Sequence, residues 1–386
     1  MDTDASSTGA SAPSAVVVGG GIGGLAAARA LQRAGWAVQV LEQAPRLDPL
    51  GAGISLWPNA VRALADLDVR LAETSASTDV GGVRTSDGRW LSRTDASGYR
   101  ARYGAPLLAV HRAELHQTLL DSVAPGTVLT GVRVDGVDPR SDGVAVRHGR
   151  GTSYADLAVL ADGLTSTTRH LVVGPGPGPR YAGYTAWRGV AERSAQDAAT
   201  ESWGRGSRFG IVPLADGRTY WFATANRPQG ERASGGEHAE VRRRFADWHA
   251  PVPEVIDATD PTDVLRHDIF DLRPRAARFA RGRMLLLGDA AHAMTPDLGQ
   301  GACQALEDAA TLGALVRAGT DLDEVLARYD ACRRPRVRLV AKRSRQLGRV
   351  GQLEGRGVTL VRDLLVRATP DRLTARQLDG ILGWRL

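Results

Sequence analysis

The stretch AVVVGGGIGGLAAARALQRAGWAVQVLEQ (15–43) constrains the fold more than any other part of the chain. A short apolar run stops at a glycine cluster, an Ala/Leu segment of helical spacing follows, and a second apolar run (37–42) ends at Glu42. Two strands joined through a helix in this way lie parallel in one sheet. The glycines have separate jobs. Gly19 permits the tight turn, Gly21 lets the backbone approach a pyrophosphate, and Gly24 lets the helix pack closely on the strand. Ile22 and Gly23 lie in the glycine turn that opens the helix expected over residues 25–34, whose N-terminal N–H groups are unpaired and carry the positive end of the helix dipole. Glu42 can accept hydrogen bonds from a ribose diol. The unit points to a dinucleotide without separating FAD from NAD, and other ligands of this fold stay open.

At 386 residues the chain can bury one large core or two interleaved ones. Its net charge of +6 raises the question of nucleic acid, but the positive charges are spread along the chain and nearly all are arginine, Lys342 being the only lysine. The densest cluster, RRPRVRLVAKRSR (333–345), has helical spacing and is expected to be a solvated helix face. Neither nucleic acid nor a membrane is expected as a partner. Cys303 and Cys332 fall in helical segments and are expected to be packed thiols; two cysteines alone build no metal cluster. No stretch approaches the ~18 apolar residues of a membrane span, and the polar start MDTDASSTGASAPS lacks a basic leader. A soluble, cytoplasmic protein is expected, disordered over residues 1–14.

Further along, GAGISLWPNAVRALADL (51–67) turns helical after Pro58, and VHRAELHQTLLDSV (110–123) has the pattern of a second amphipathic helix. Residues 128–160 alternate in period two around Gly/Asp turns, which predicts a β-meander. A Pro/Gly linker, GPGPGPR (174–180), precedes the strand-like runs YTAWRGVAE, RFGIVPL and RTYWFATAN. EHAEVRRRFADWH (237–249) has a helical pattern. After Arg283 the pattern returns to strand–turn–helix, and from Gln300 onward it is helical. The expected architecture is therefore α/β. A Rossmann-type domain is assembled from residues 15–79, 101–179 and 275–386, with the last helices at its C-terminal end. An inserted mixed β-sheet domain from residues 80–100 and 180–274 would hold the substrate.

Two more turns carry chemistry. One is AVLADGLTSTTRH (158–170), where Asp162-Gly163 alone is a common turn. The other is LLLGDAAHAMTPDLGQG (285–301), whose Asp289 and His292 could be an acid–base pair or part of a cradle for a bound group. Together the ordered trio resembles the FAD-dependent aromatic hydroxylase family, the group A flavin monooxygenases that include p-hydroxybenzoate hydroxylase. The resemblance extends to the WPNAVRAL helix, Arg112 in VHRAEL and the Tyr-x-Gly-x-x-x-Trp-Arg-Gly segment. It implies a Rossmann-type FAD-binding domain of the glutathione-reductase-like, hydroxylase-type variety. The first motif would hold the ADP part of FAD. Asp162 and Arg169 of the second would serve both FAD and NAD(P)H, though Leu160 stands where many members carry glycine. Asp289, Pro296, Gly299, Gln300, Gly301 and Ala302 would hold the ribityl chain and flavin ring. Arg112 would reach the cofactor, the alternative being a surface arginine in an ion pair.

The resemblance also implies the reaction. NAD(P)H, as NADH or NADPH, would reduce FAD, and O2 would be captured as a flavin hydroperoxide that hydroxylates a small aromatic or heteroaromatic substrate. The alternatives are an epoxidase, a urate-type hydroxylase, or a flavin oxidoreductase that transfers no oxygen. No metal is implied, and a monomer or homodimer is expected. Arg208 and Tyr220, polar groups on otherwise apolar strands, and Asp297 resemble the substrate-side residues of the FAD-dependent urate hydroxylase subgroup, while half-exposed strands also carry such residues without function. His292 is expected to be structural.

Overall fold

The first strand begins at Ser14, whose N–H and hydroxyl both donate to the Asp156 carboxylate at 2.7 and 2.9 Å. That contact orders residue 14, which lies inside the segment expected to be disordered. The structure, a computed structural model, describes residues 12–47, 52–71, 76–77, 80–95, 97–193, 195–196, 198–272, 277–316 and 321–386. The remainder of the expected disordered segment up to residue 11 lies outside the described residues.

Ser14–Val18 is the centre of a six-stranded sheet in the order 280–281, 284–286, 157–160, 14–18, 37–41, 128–129. Every pairing in it is parallel except the edge hairpin Ala280–Arg281 with Met284–Leu286. Parallel strands are covered on both faces, and the run Leu157–Leu160 is buried throughout. The meander expected over 128–160 shrinks to 134–155, because the flanking runs 128–129 and 157–160 are drawn into the parallel sheet. Both are apolar without polar alternation, the pattern of strands buried on two faces.

The glycine-turn helix Ile22–Arg33 packs on helix Gly301–Leu315 at backbone distance. A Cβ added to Gly23 would meet Leu287 at 2.8 Å and Ala305 at 3.3 Å, and one on Gly313 would meet Ala30 at 3.0 Å. Small residues at this crossing bring the first and third turns to the same end of the sheet.

A seven-stranded mixed sheet runs in the order 265–271, 180–191, 219–226, 207–213, 199–203, 80–85, 90–95. Residues 199–203 pair parallel with 80–85 and the other neighbours are antiparallel. Period-two alternation splits this sheet into two faces. One buries Trp187, Phe209 and Trp221 against Phe245 and the helices Glu237–Phe245 and Val252–Asp257. The opposite face carries Tyr220, Phe222 and Arg188. It meets the antiparallel strands Gly53–Leu56 and Leu108–His111 of a small three-stranded sheet.

The long helix Leu322–Gly351, about 45 Å by its 30 residues, carries the basic cluster. Arg333 and Arg336 turn inward rather than to solvent, onto Glu307 and Asp308. The expectation of a solvated face fails there because helix Gly301–Leu315 offers two buried acids. Cys303 is buried as expected, whereas Cys332 is exposed on the outer side of the long helix. Among the described residues, no helix is long and apolar enough to cross a membrane, and no group of His, Cys, Asp and Glu is placed to hold a metal ion.

Candidate active site

The first turn is built as its glycines require. Gly19 has φ +102°, and a Cβ there would lie 2.5 Å from the Ala161 carbonyl oxygen. A Cβ on Gly24 would lie 1.9 Å from the Gly19 carbonyl, whereas one on Gly21 would meet nothing within 4 Å. Gly21 thus faces open space at the N-terminus of Ile22–Arg33, where a phosphate fits. The Glu42 carboxylate accepts from Gly20 N–H at 2.7 Å and Ala44 N–H at 2.8 Å. Each oxygen keeps acceptor capacity for a ribose hydroxyl.

The second motif turns inward. Asp162 Oδ2 accepts from the Thr167 and Thr168 N–H groups at 3.0 and 3.2 Å, while Oδ1 is buried without a partner. Arg169 donates to the Ala290 carbonyl at 2.6 Å and to Leu164 at 2.8 Å. Arg169 therefore fastens the second turn to the third. This is a positioning job that its motif does not announce.

In the third turn, Gly288 (φ +63°) and Gly299 (φ +61°) take left-handed backbone. Asp289 stands exposed just past the strand Met284–Leu286 and makes no hydrogen bond or ion pair with the described chain. Its carboxylate acts on Arg112 and Arg169 across the cleft. Pro296–Leu298 forms a 3-10 turn, and Gly301 and Ala302 begin the following helix with their N–H groups free. Buried Gln300 accepts from Asn59 at 3.0 Å, yet Gln300 Nε2, Asn59 Oδ1 and Trp57 Nε1 all lack partners. Unsatisfied buried polar atoms are rare. Their gathering beside this helix N-terminus fits a polar group such as a flavin ring edge.

Beneath the turn, His292 is buried and its Nε2 meets Asp308 Oδ2 at 2.6 Å. Asp308 also accepts from Gly288 N–H at 3.0 Å and Arg333 at 2.6 Å. Burial pushes the Asp308 carboxyl up, but His292 and Arg333 outweigh it and hold it below the usual range. His292 and Asp289 do not form an acid–base pair. One is locked into the floor, and the other faces the cleft.

Above the turn, Arg208 and Asp297 are brought together. Arg208 Nη2 meets Asp297 Oδ1 at 2.5 Å, Nη1 meets Glu201 at 3.1 Å, and Nε donates to Gln352 at 3.0 Å. The Tyr184 hydroxyl also donates to Asp297. The Arg208 and Asp297 side chains are closed to solvent. Two carboxylates share one guanidinium, and burial pushes Glu201 up despite Arg208. The alternative that Arg208 and Tyr220 are residues of a half-exposed strand face fails, since both are buried.

Tyr220 lies apart from that pair. Its ring packs on Gly53, where an added Cβ would come within 2.5 Å, and Gly53 pairs with His111, the residue before Arg112. Arg188 faces the Tyr220 hydroxyl. Burial raises Tyr220 above the usual phenol range, while Arg188 and Arg112 oppose the shift. Arg112 and Arg188 make no ion pair among the described residues. His267, in register with Ala186 on the adjacent strand, lies beside these two arginines. Burial and then Arg188 and Arg112 lower its pKa, which keeps it neutral near pH 7. Arg188 and His267 were not singled out in the sequence. The Trp-Arg-Gly run was the available signal, but only strand register reveals which face its arginine takes.

A separate cleft of about 600 Å³, lined by residues such as Arg33, Trp36 and Thr127, sits at the opposite end of the parallel strands from these turns. Ligands of open α/β sheets bind at the carboxyl ends, so the three-turn cleft is the candidate site.

The profile of the family described as the FAD binding domain matches residues 13–344. The chain is 41% identical to the aurachin C monooxygenase/isomerase of Stigmatella aurantiaca, over 94% of this chain and 96% of that one. It is 37% identical to an FAD-dependent urate hydroxylase of Klebsiella pneumoniae, over 86% and 88% of the two chains. The crystal structure of Klebsiella pneumoniae HpxO complexed with FAD and uric acid matches with a TM-score of 0.89 at 34% identity, covering 96% of this chain and 97% of that one. With the glycine cradle, the free Asp289 and the orphaned polar atoms in place, the chain belongs to the FAD binding domain family, as an FAD-dependent monooxygenase that draws its electrons from NAD(P)H.

Proposed function

We propose that this monooxygenase hydroxylates a small, polar aromatic or heteroaromatic substrate held between the flavin turn and the seven-stranded sheet. The observation that carries this reading is the buried Arg208–Asp297 pair. It clamps the sheet to the turn Pro296–Leu298 and leaves Tyr220, Arg188 and Arg112 as the free polar groups beside the cleft. Bound FAD supplies the redox chemistry, accepting hydride from NADH or NADPH and activating O2.

The chain's own residues bind and orient. Gly21 and the N-terminus of Ile22–Arg33 receive the pyrophosphate, with Ile22 and Gly23 contributing N–H groups, and Glu42 receives the ribose. Asp289 accepts hydrogen bonds from ribityl hydroxyls. Gly301 and Ala302 present N–H groups and a helix dipole to the carbonyl edge of the flavin, where they stabilise negative charge. Asp162 braces the second turn and Arg169 ties it to the third, so that these groups keep their places. Tyr220, protonated at neutral pH, donates to an oxygen or ring nitrogen of the substrate. Arg188 and Arg112 stabilise the negative charge of a deprotonated substrate, which makes its ring electron-rich. Packing of Tyr220 against Gly53, with Phe222 beside it, keeps water from the reacting face.

The enzyme works in the cytoplasm as a monomer or homodimer, and the division into a nucleotide domain and an inserted substrate domain follows the two sheets. The test is NAD(P)H oxidation by the yellow holoenzyme against phenols, aromatic acids, purines and indoles, with product mass measured. Stimulation by an electron-rich ring together with a product heavier by one oxygen supports the reading. NAD(P)H oxidation that no ring compound stimulates contradicts it.

A further inference from the structure

The helix Arg356–Ala368 buries polar residues and turns its apolar side outward. Ten large hydrophobic side chains are exposed among the described residues, and nine of them lie between residues 339 and 386; Tyr154 is the other. Five are on one helix, Arg356–Ala368, where Val358, Leu360, Val361, Leu364 and Leu365 are 53–71% exposed. Spacings of three and four place Leu360 and Leu364 in one row and Val361 and Leu365 in the next. An amphipathic helix normally turns such an arc to the core. Here the side facing the body is polar. Buried Arg362 donates to the Gly204 carbonyl at 3.0 Å and lies over the Trp203 ring, and Thr359 is buried beside it. The helix is thus anchored by its polar side and offers its apolar arc outward.

Charge points the same way. Residues 333–386 contain 14 Arg and Lys against 4 Asp and Glu, a net +10, so the other 332 residues sum to −4 within a chain of +6. Part of that excess is neutralised internally, but Arg349, Arg356 and Arg367 are exposed and form no ion pair among the described residues. Arg356 and Arg367 fall in the row of Leu360 and Leu364, at its two ends. Exposed Arg93, over the Trp90 ring of the neighbouring edge strand, adds to the rim.

We propose that this face is a membrane-surface docking site, with helix Arg356–Ala368 lying along an anionic lipid bilayer. Its leucines and valines enter the headgroup–acyl boundary while the arginines meet lipid phosphates. An outward apolar arc rimmed by arginine matches an interfacial helix. A two-fold contact between copies would be isologous and would set the same cationic patch against itself, which argues for lipid rather than a second copy.

The experiment is co-sedimentation of the FAD-loaded, full-length protein with phosphatidylcholine vesicles, with and without phosphatidylglycerol. The proposal expects binding that requires phosphatidylglycerol and weakens with salt. The triple variant Leu360→Glu, Leu364→Glu, Leu365→Glu should bind at least about tenfold more weakly, with flavin content and far-UV circular dichroism unchanged. Absence of binding to the anionic vesicles would overturn the proposal. So would equal binding by the triple variant, or a wild-type dimer that the triple variant converts to monomer, which would identify the arc as a self-interface.

Discussion

Arg208 and Asp297 meet at 2.5 Å in a place closed to solvent, and they come from different halves of the molecule. Arg208 stands on a strand of the seven-stranded sheet and Asp297 in the turn beneath the flavin site. The long helix makes room for them. A Cβ on Gly348 would lie within van der Waals overlap of the Asp297 carboxylate, and one on Gly351 would come 2.8 Å from Arg208 Cδ. Removing one partner of such a pair leaves a buried charge, which costs about 3–5 kcal/mol. Arg208→Ala is therefore expected to lower the unfolding free energy by about that amount, read from chemical denaturation, and to weaken substrate binding as the turn loosens.

The same geometry gives a prediction of opposite sign to helix propensity. Glycine to alanine inside a helix ordinarily stabilises by about 1 kcal/mol. Gly348→Ala should instead destabilise by roughly 1–3 kcal/mol through overpacking. An increase in melting temperature would show that the helix does not press on the ion pair.

Asp289 is suited to a clean binding test because it holds nothing else in place. Asp289→Ala should leave the apoprotein's melting temperature within about 1 °C, since surface changes lie within ±0.5 kcal/mol. Its FAD affinity should fall about 10- to 100-fold, the loss of an ionised acceptor worth about 1.5–3 kcal/mol. Flavin fluorescence titration reads this directly, and wild-type affinity would remove Asp289 from the cofactor site.

For Tyr220 the lever is its neighbour. Gly53→Ala places a methyl group against the ring and should displace the hydroxyl, and Tyr220→Phe deletes it. Both should raise the substrate dissociation constant, with flavin content unchanged. If Tyr220→Phe binds substrate like wild type, the hydroxyl is not a substrate contact.

The floor of the site sets an acid limit. Glu307 and Asp308 are both pushed up by burial and pulled further down by Arg333, with Arg336 acting on Glu307 and His292 on Asp308. Their folded values lie below the unfolded ones of about 4. Their stabilisation is thus complete above that pH and is lost as pH falls through the folded values. Denaturation measured from pH 7 to pH 3 should show stability falling on the acid side. Glu307→Gln should give a shallower slope there.

The three turns were legible because each depends on local rules. Gly19, Gly24 and Gly299 occupy backbone or packing environments that admit no side chain, and Asp289 follows a strand whose apolar run is plain. What sequence could not supply was pairing across long separations. Arg208 and Asp297 are adjacent only because the sheet folds back over the turn, and Arg333 looked like solvent-facing charge until helix 301–315 placed Glu307 and Asp308 against it. Arg188 and His267 were hidden for the same reason, since strand register decides their face.

The most direct measurement is the fate of O2. Turnover of the best panel substrate with NAD(P)H under 18O2 should give a product carrying one 18O, with none incorporated from H2 18O. Substrate-dependent NAD(P)H oxidation that yields an unlabelled product would contradict the account, and would make this protein a flavin oxidoreductase without oxygen transfer.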